Sequence, residues 1–327
     1  MKVLQAGRIA TVVLTLAILG VILWHLNARQ VLQDFEGARW GFVLATGLIN
    51  LGNTGIEAVR WRLLAKSAAP AVRARSALKG LLAGTLGNVV LPFKLGEGVR
   101  AYVFADEAQL PFTEALSTVV LDRMVDLAVF AVLAVLTLCV APLPPGVASA
   151  VKWLPASAFL GIGVLAVLAR RSRNSRRGAS TPRRRLAAHV DRFLDGMSAL
   201  RYGGNLAPAI GAAVLSWGTR MLLTWTMLRA FHLSLPWAAP AVVLTIVNLG
   251  IAVAGMPGNV GSFELASMGA LAIYGVPGDV ALSFGAALHV TEVLPVVVVG
   301  LILMWTGELQ IWRRPAPPDP PAASMST

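Results

Sequence analysis

Charge is what this 327-residue sequence has least of: Asp, Glu, Lys and Arg make up 13% of it, roughly half the ~25% of an ordinary soluble domain. So little charge excludes a water-soluble globule as the fold class. Cysteine is reduced to one residue, Cys139, set in an apolar run, which excludes an intrachain disulfide framework. The four histidines, at positions 25, 189, 232 and 289, fall at no metal-ligand spacing. His289-Val290-Thr291-Glu292 is not the H-E-x-x-H of a zinc hydrolase, and no P-loop or G-x-S-x-G is present. Asp122 and Asp126 do not form an Asp-rich prenyl-diphosphate motif. These absences lead us to expect no metal, no cofactor and no enzymatic activity of soluble type.

What is abundant is hydrocarbon. Apolar residues make up 56% of the chain and the mean hydropathy is +0.70. The net charge of +12 comes from short basic clusters between apolar runs. That pattern suits orientation in a membrane rather than nucleic-acid binding. The expected fold is all-α: a polytopic, integral-membrane helix bundle.

A spanning helix needs ~20 mostly apolar residues. Ile9–Leu26, Trp40–Ile56, Glu114–Ala141, Trp153–Ala169, Leu206–Phe231 and Val280–Trp305 meet that need. The first run is longer than the 7–15 residues usual for a cleaved signal and is followed by a poor cleavage site, so a retained helix is expected. Leu78–Phe93, Ala238–Gly255 and Ser262–Val276 are short, glycine-rich or ended by proline. Arg170, Arg171, Arg173, Arg176, Arg177, Arg183, Arg184 and Arg185 mark one cytoplasmic loop. Arg60, Arg62, Lys66, Arg73, Arg75 and Lys79 mark another, and Arg313 with Arg314 puts the C-terminus inside. The loops at Pro142–Gly146 and Leu233–Pro236 carry no basic residue and are assigned to the periplasm. Both termini are then cytoplasmic, in a bacterial inner membrane. By parity, residues 80–111 begin and end inside, and 237–278 begin and end outside. Each is a re-entrant hairpin or a pair of full spans, and their shortness favours re-entrant hairpins from opposite faces. Domain limits follow: a membrane domain over 1–312, with halves at about 9–141 and 153–306, and a disordered Pro/Ala/Ser-rich tail over 313–327. Between the halves, 170–203 holds the basic loop and a segment, Thr181–Gly203, whose apolar residues recur at helical spacing, as in an amphipathic helix lying on the cytoplasmic leaflet.

The halves share a spacing. Pro92-x3-Gly96-Glu97 is echoed by Pro257-Gly258-x2-Gly261-x2-Glu264, and Leu121-Asp122 lies at a similar offset to Leu288-His289. Gly/Pro-interrupted segments at matching positions indicate a binding site at a repeat interface, and hairpins entering from opposite faces make the repeat inverted. Pro92, Gly96, Pro257, Gly258 and Gly261 are the candidate hinge residues.

Charges inside apolar runs cost ~2.5–3.5 kcal/mol each at a helix centre, so those that persist face one another or a wet cavity. Here they are Glu57, Arg60, Arg62, Glu97, Arg100, Asp122, Arg123, Asp126, Arg220, Glu264, His289 and Glu292; all of them but Glu57, Arg62 and Arg220 form our candidate substrate-binding set. Asp122 and Asp126 lie one helical turn apart, with Arg123 placed to neutralise one of them. This group could equally be a structural ion cluster. Glu264 has no cation near it in sequence and needs a partner from elsewhere in the bundle.

At Glu57-Ala-Val-Arg60-Trp61-Arg62, Asn88-x3-Pro92-x3-Gly96-Glu97-x2-Arg100, Leu121-Asp122-Arg123-x2-Asp126 and Pro257-Gly258-x2-Gly261-x2-Glu264, the sequence resembles the lysylphosphatidylglycerol synthase transmembrane, flippase-like family, from about residue 10 to 310. The resemblance implies a membrane domain that moves or handles phospholipids between leaflets, with Glu97, Arg100, Arg123, Asp126 and Glu264 as the working residues. Asp122 stands where Glu is common, and Lys94-Leu95 departs from the usual pair. The aminoacyl-transferase domain of the full synthases is not in this sequence, so synthesis of lysyl-phosphatidylglycerol is not expected. The expected activity is translocation of a phospholipid or lipid-linked anion, the ligand a membrane lipid and not a nucleic acid. The alternatives are an integral-membrane transferase or hydrolase using Asp122 and Asp126, or a non-transporting subunit beside a lipid-modifying enzyme.

Overall fold

The computed structural model describes residues 37–141, 143–172, 204–254 and 256–311, all helix, turn or loop. The Ile9–Leu26 span, the segment Thr181–Gly203, Arg313, Arg314 and the tail lie outside the described residues, as does most of the arginine-rich loop. In chain order the helices are α1 Trp40–Ala65, α2 Ala74–Val90, α3 Gly96–Ala108, α4 Phe112–Val140, α5 Pro145–Ser172, α6 Leu206–Ala230, α7 Ala239–Ala254, α8 Ser262–Ala272 and α9 Gly278–Trp305. Helices α1, α4, α6 and α9 are long and apolar enough to cross a membrane. The chain is a multi-pass helical membrane protein, and α1 runs past the expected Ile56 to Ala65.

Long, short pair, long is the order of elements in both halves. α2 and α3 are joined by the turn 91–95, and α7 and α8 by a single 3-10 turn, Pro257–Asn259. At 13 and 11 residues, α3 and α8 extend about 20 and 17 Å, short of the ~30 Å hydrocarbon thickness. Each hairpin therefore returns to the end from which it came.

The ends are opposite. The base of the first hairpin lies against the C-terminal end of α9, where Arg75 pairs with Glu308 and Lys79 with Glu107. The base of the second packs with the start of α1 and the end of α6, in one core that includes Ala38, Ala230, Ala239 and Leu271. There the Arg39 amide donates to the Ala230 carbonyl at 3.0 Å. Helices α1 and α6 are thus antiparallel, and Thr46–Thr226 and Glu57–Arg220 are further contacts between them. The two halves are inverted copies of one arrangement.

Small residues make the hairpins tight. A β-carbon at Gly84 would lie 2.9 Å from the Arg100 side chain, one at Gly87 would lie 2.9 Å from the Gly96 Cα, and one at Gly96 would strike Asn88. Such close backbone approach replaces the hydrophobic drive that lipid cannot supply. Outward side chains such as Leu44, Leu48, Val132, Leu136, Val214 and Ile302 are exposed and apolar, as a lipid-facing surface requires.

Candidate functional site

The tips of the hairpins are built alike. After Pro92, Phe93 and Lys94 have φ of +54° and +56°, and after Pro257, Gly258 and Asn259 have φ of +58° and +59°. In both copies two successive left-handed residues reverse the chain between proline and glycine, a conformation glycine adopts freely and Phe or Lys only under strain. The tips meet: a β-carbon on Gly258 would sit 3.6 Å from the Val89 carbonyl oxygen and 3.7 Å from its Cα. Pro92, Gly96, Pro257, Gly258 and Gly261 all belong to these turns or begin the helices that follow them.

Each hairpin carries a glutamate in the first turn of its second helix, and each glutamate reaches the long helix that follows. Glu97 accepts from Arg123 of α4 at 2.5 Å. Glu264 lies 2.7 Å from His289 Nδ1 of α9, and its other oxygen accepts from the Gly261 amide at 2.7 Å. Phe263 stacks on the His289 ring with centroids 4.5 Å apart. The counterpart of His289 is therefore Arg123, not the Asp122 suggested by sequence offset. Arg123 makes its direct contact with Glu97 and acts on the two aspartates only from beyond contact distance.

The aspartates are held by arginines from other helices. Arg60 of α1 donates from Nε and Nη2 to Asp122 at 2.8 and 3.2 Å, and from Nη1 to Asp126 at 2.5 Å. Arg100 of α3 donates to Asp122 at 2.7 Å and, more loosely, to Glu97 at 3.4 Å. Its guanidinium lies 4.0 Å from the centre of the Trp61 ring, and Trp61 donates to Thr118 at 3.1 Å. Arg60 and Arg100 are 1% exposed and the Asp122 side chain 0%. This knot ties α1, α3 and α4 together; its centre, Arg60–Asp122–Arg100, is closed to solvent, and Asp126 at its edge is not.

Beside the knot is a cavity of about 390 Å³ between the halves. Lys94, Arg123 and Asp126 line it from the first half, and Arg220, Asn259, His289 and Glu292 from the second. The Arg123 side chain is 45% exposed, so it has donors beyond the one given to Glu97. Arg220 pairs with Glu57, which also accepts from Asn53 at 3.1 Å. Of the nine residues expected to bind substrate, Arg123, Asp126, His289 and Glu292 line the cavity. Glu97 and Glu264 reach it through their partners. Arg60, Arg100 and Asp122 are not among its lining residues.

Sequence reasoning left four contributors out of the set. Lys94 and its counterpart Asn259 occupy the same place in the two Pro-x-x-x-Gly turns, a signal that was there to use. Arg220 stood out as an intramembrane charge but had no local partner. Asn50 was missed altogether. Pro295, inside α9, cannot donate to the Thr291 carbonyl, and the Asn50 amide of α1 fills that place, donating to the Thr291 and Glu292 carbonyls at 3.3 and 2.6 Å. It fixes the backbone that carries Glu292.

In chemical terms the cavity offers guanidinium and ammonium donors beside carboxylates, with aromatic walls from Phe130, Trp217 and Phe263. Among known proteins, the chain is similar over 126 residues to Glycosyltransferase AglD of Haloferax volcanii, at 23% identity, covering 38% of this chain and 20% of that protein. The chain thus spans about a fifth of that relative's length. The sequence signature of the lysylphosphatidylglycerol synthase TM region matches residues 8–300. With nearly the whole described bundle inside that match, the chain belongs to the lysylphosphatidylglycerol synthase TM region family.

Proposed function

We propose that this protein translocates a phospholipid or a lipid-linked anion between the leaflets of a bacterial inner membrane, with both termini cytoplasmic. The observation that carries the reading is the meeting of two oppositely entering hairpin tips at a polar cavity lined by both halves. In transporters built from inverted repeats, substrate binds where broken segments meet near the midplane. Arg123 and Lys94 are the phosphate ligands in this reading: Arg123 as a planar fork and Lys94 as a point charge on a strained turn. A lipid-modifying enzyme acting on the same lipid would be the natural partner.

A transferase or hydrolase reading would use Asp122 and Asp126. Asp122 is sealed and shared by two arginines, and Asp126 is held by Arg60. Neither is poised as a nucleophile or base, and the likeness to a named glycosyltransferase covers only a fifth of that protein. Translocation is therefore the reading we favour.

The test is a fluorescent-lipid flip assay in proteoliposomes, run with several headgroups on wild type and Arg123→Gln. Wild type should accelerate flipping of at least one phosphate-bearing lipid. Arg123→Gln, folded and reconstituted equally well, should lose about tenfold or more of that rate, as expected for loss of a charge-assisted hydrogen bond of ~1.5–3 kcal/mol. Equal rates, or no flipping of any lipid by wild type, would overturn the proposal.

A further inference from the structure

Almost every charge at depth is already matched. Glu57 pairs with Arg220, Asp122 and Asp126 with Arg60 and Arg100, Glu97 with Arg123, and Glu264 with His289. Two lining groups of the cavity are not. The Glu292 carboxylate on α9 and the Lys94 ammonium at the first hairpin tip make no direct hydrogen bond or ion pair among the described residues: Arg220 and His289 act on Glu292, and Glu97 and Asp126 on Lys94, only from beyond contact distance. A carboxylate in a low-dielectric setting gains strongly from a cationic partner, and leaving it bare is costly. Glu292 is also deliberately placed: Pro295 opens the helix behind it and Asn50 clasps its carbonyl at 2.6 Å. The walls it shares with Phe130, Trp217 and Phe263 are aromatic and low in dielectric, which strengthens a carboxylate–ammonium contact made there.

We propose that Glu292 is the recognition site for an ammonium group, so that the headgroup taken by this cavity is a net-neutral zwitterion: one phosphate held from Lys94 and Arg123, and one amine held by Glu292. This rests on the lipid-handling reading above and narrows it. One bare carboxylate and one bare ammonium match a headgroup with one amine and one phosphate, the chemistry of a phosphoethanolamine. A headgroup with two amines would leave one uncompensated, and a purely anionic one would leave Glu292 bare.

The test is equilibrium binding to the purified full chain in detergent, followed by tryptophan fluorescence. The probes are dihexanoyl phosphatidylethanolamine, its N-acetyl derivative, dihexanoyl phosphatidylglycerol and water-soluble O-phosphoethanolamine. Wild type should bind phosphatidylethanolamine about tenfold or more tighter than its N-acetyl derivative, the worth of one charge-assisted contact. Glu292→Gln should erase that preference by weakening phosphatidylethanolamine alone, while Lys94→Gln should weaken all the phosphate-bearing probes. If Glu292→Gln does not fold, the wild-type comparison still decides, because there the lipid is altered and the protein is not. Equal wild-type affinity for the free amine and its N-acetyl form, or a preference that survives Glu292→Gln, overturns the ammonium site. If all three lipids then bind alike and Arg123→Gln weakens them together, the lipid-handling reading stands without it. If none binds and flipping is also absent, both fall. Binding of O-phosphoethanolamine as tight as that of the lipid would overturn the assignment of the headgroup to a lipid.

Discussion

Asp122 shows what single residues do in this bundle. It is the shared anion of two arginines, and each is as buried as it is. Removing one partner of a buried ion pair costs about 3–5 kcal/mol, because the charge left behind keeps its desolvation penalty. Asp122→Asn should therefore lower the thermal stability of the detergent-solubilised protein sharply and cut its folded yield. A thermal-unfolding scan beside Glu308→Gln, which touches only the exposed Arg75 pair, would check this. The control should move by no more than about 1 kcal/mol. That Asp122, Arg123 and Asp126 would be paired with other charges was legible in sequence, since charges do not persist in apolar helices without a partner. Which partner each would take was not. Spacing along α4 reports only neighbours on that helix, whereas Arg60 and Arg100 arrive from α1 and α3 by packing.

At the scale of elements, the Pro-x-x-x-Gly turns announced two interrupted segments, and their shortness argued for hairpins that do not cross. The detail that could not be read is the handedness of Phe93 and Lys94. Local preference puts glycine at such positions, as at Gly258, and the first hairpin holds non-glycine residues there at a cost of about 1–2 kcal/mol each. Tight packing of α2 on α3, through Gly84, Gly87 and Gly96, over-determines the turn and keeps the strain in place. The contact between tips makes a direct prediction. In a Cys139→Ser background, cysteines at Val89 and Gly258 should be joined by a short bifunctional thiol reagent, because the backbones there are in van der Waals contact. Absence of a cross-link in the membrane would separate the tips and remove the cavity they close.

For the whole molecule, inversion is the governing property, and it was reached in sequence by counting basic loops and enforcing parity. The structure reaches it independently, from the antiparallel α1 and α6 and from hairpin bases at opposite ends. What parity could not give is which half supplies which lining residue, because that depends on how the halves interlock and not on how often the chain crosses. Single cysteines at the exposed positions Ala71 and Asp279, again without Cys139, should react with a membrane-impermeant maleimide from opposite sides of sealed vesicles. Labelling of both from one side would break the inversion.

The clasp of Asn50 on the interrupted stretch of α9 has a mechanical consequence. A helix that loses a backbone hydrogen bond at proline has a joint there, and the pin of this joint, Asn50, belongs to the other half of the protein. The joint cannot flex without dragging α1, and α1 cannot slide without loading the joint. The rocking that the proposed translocation calls for would therefore engage both halves in one stroke, as two gears sharing a tooth.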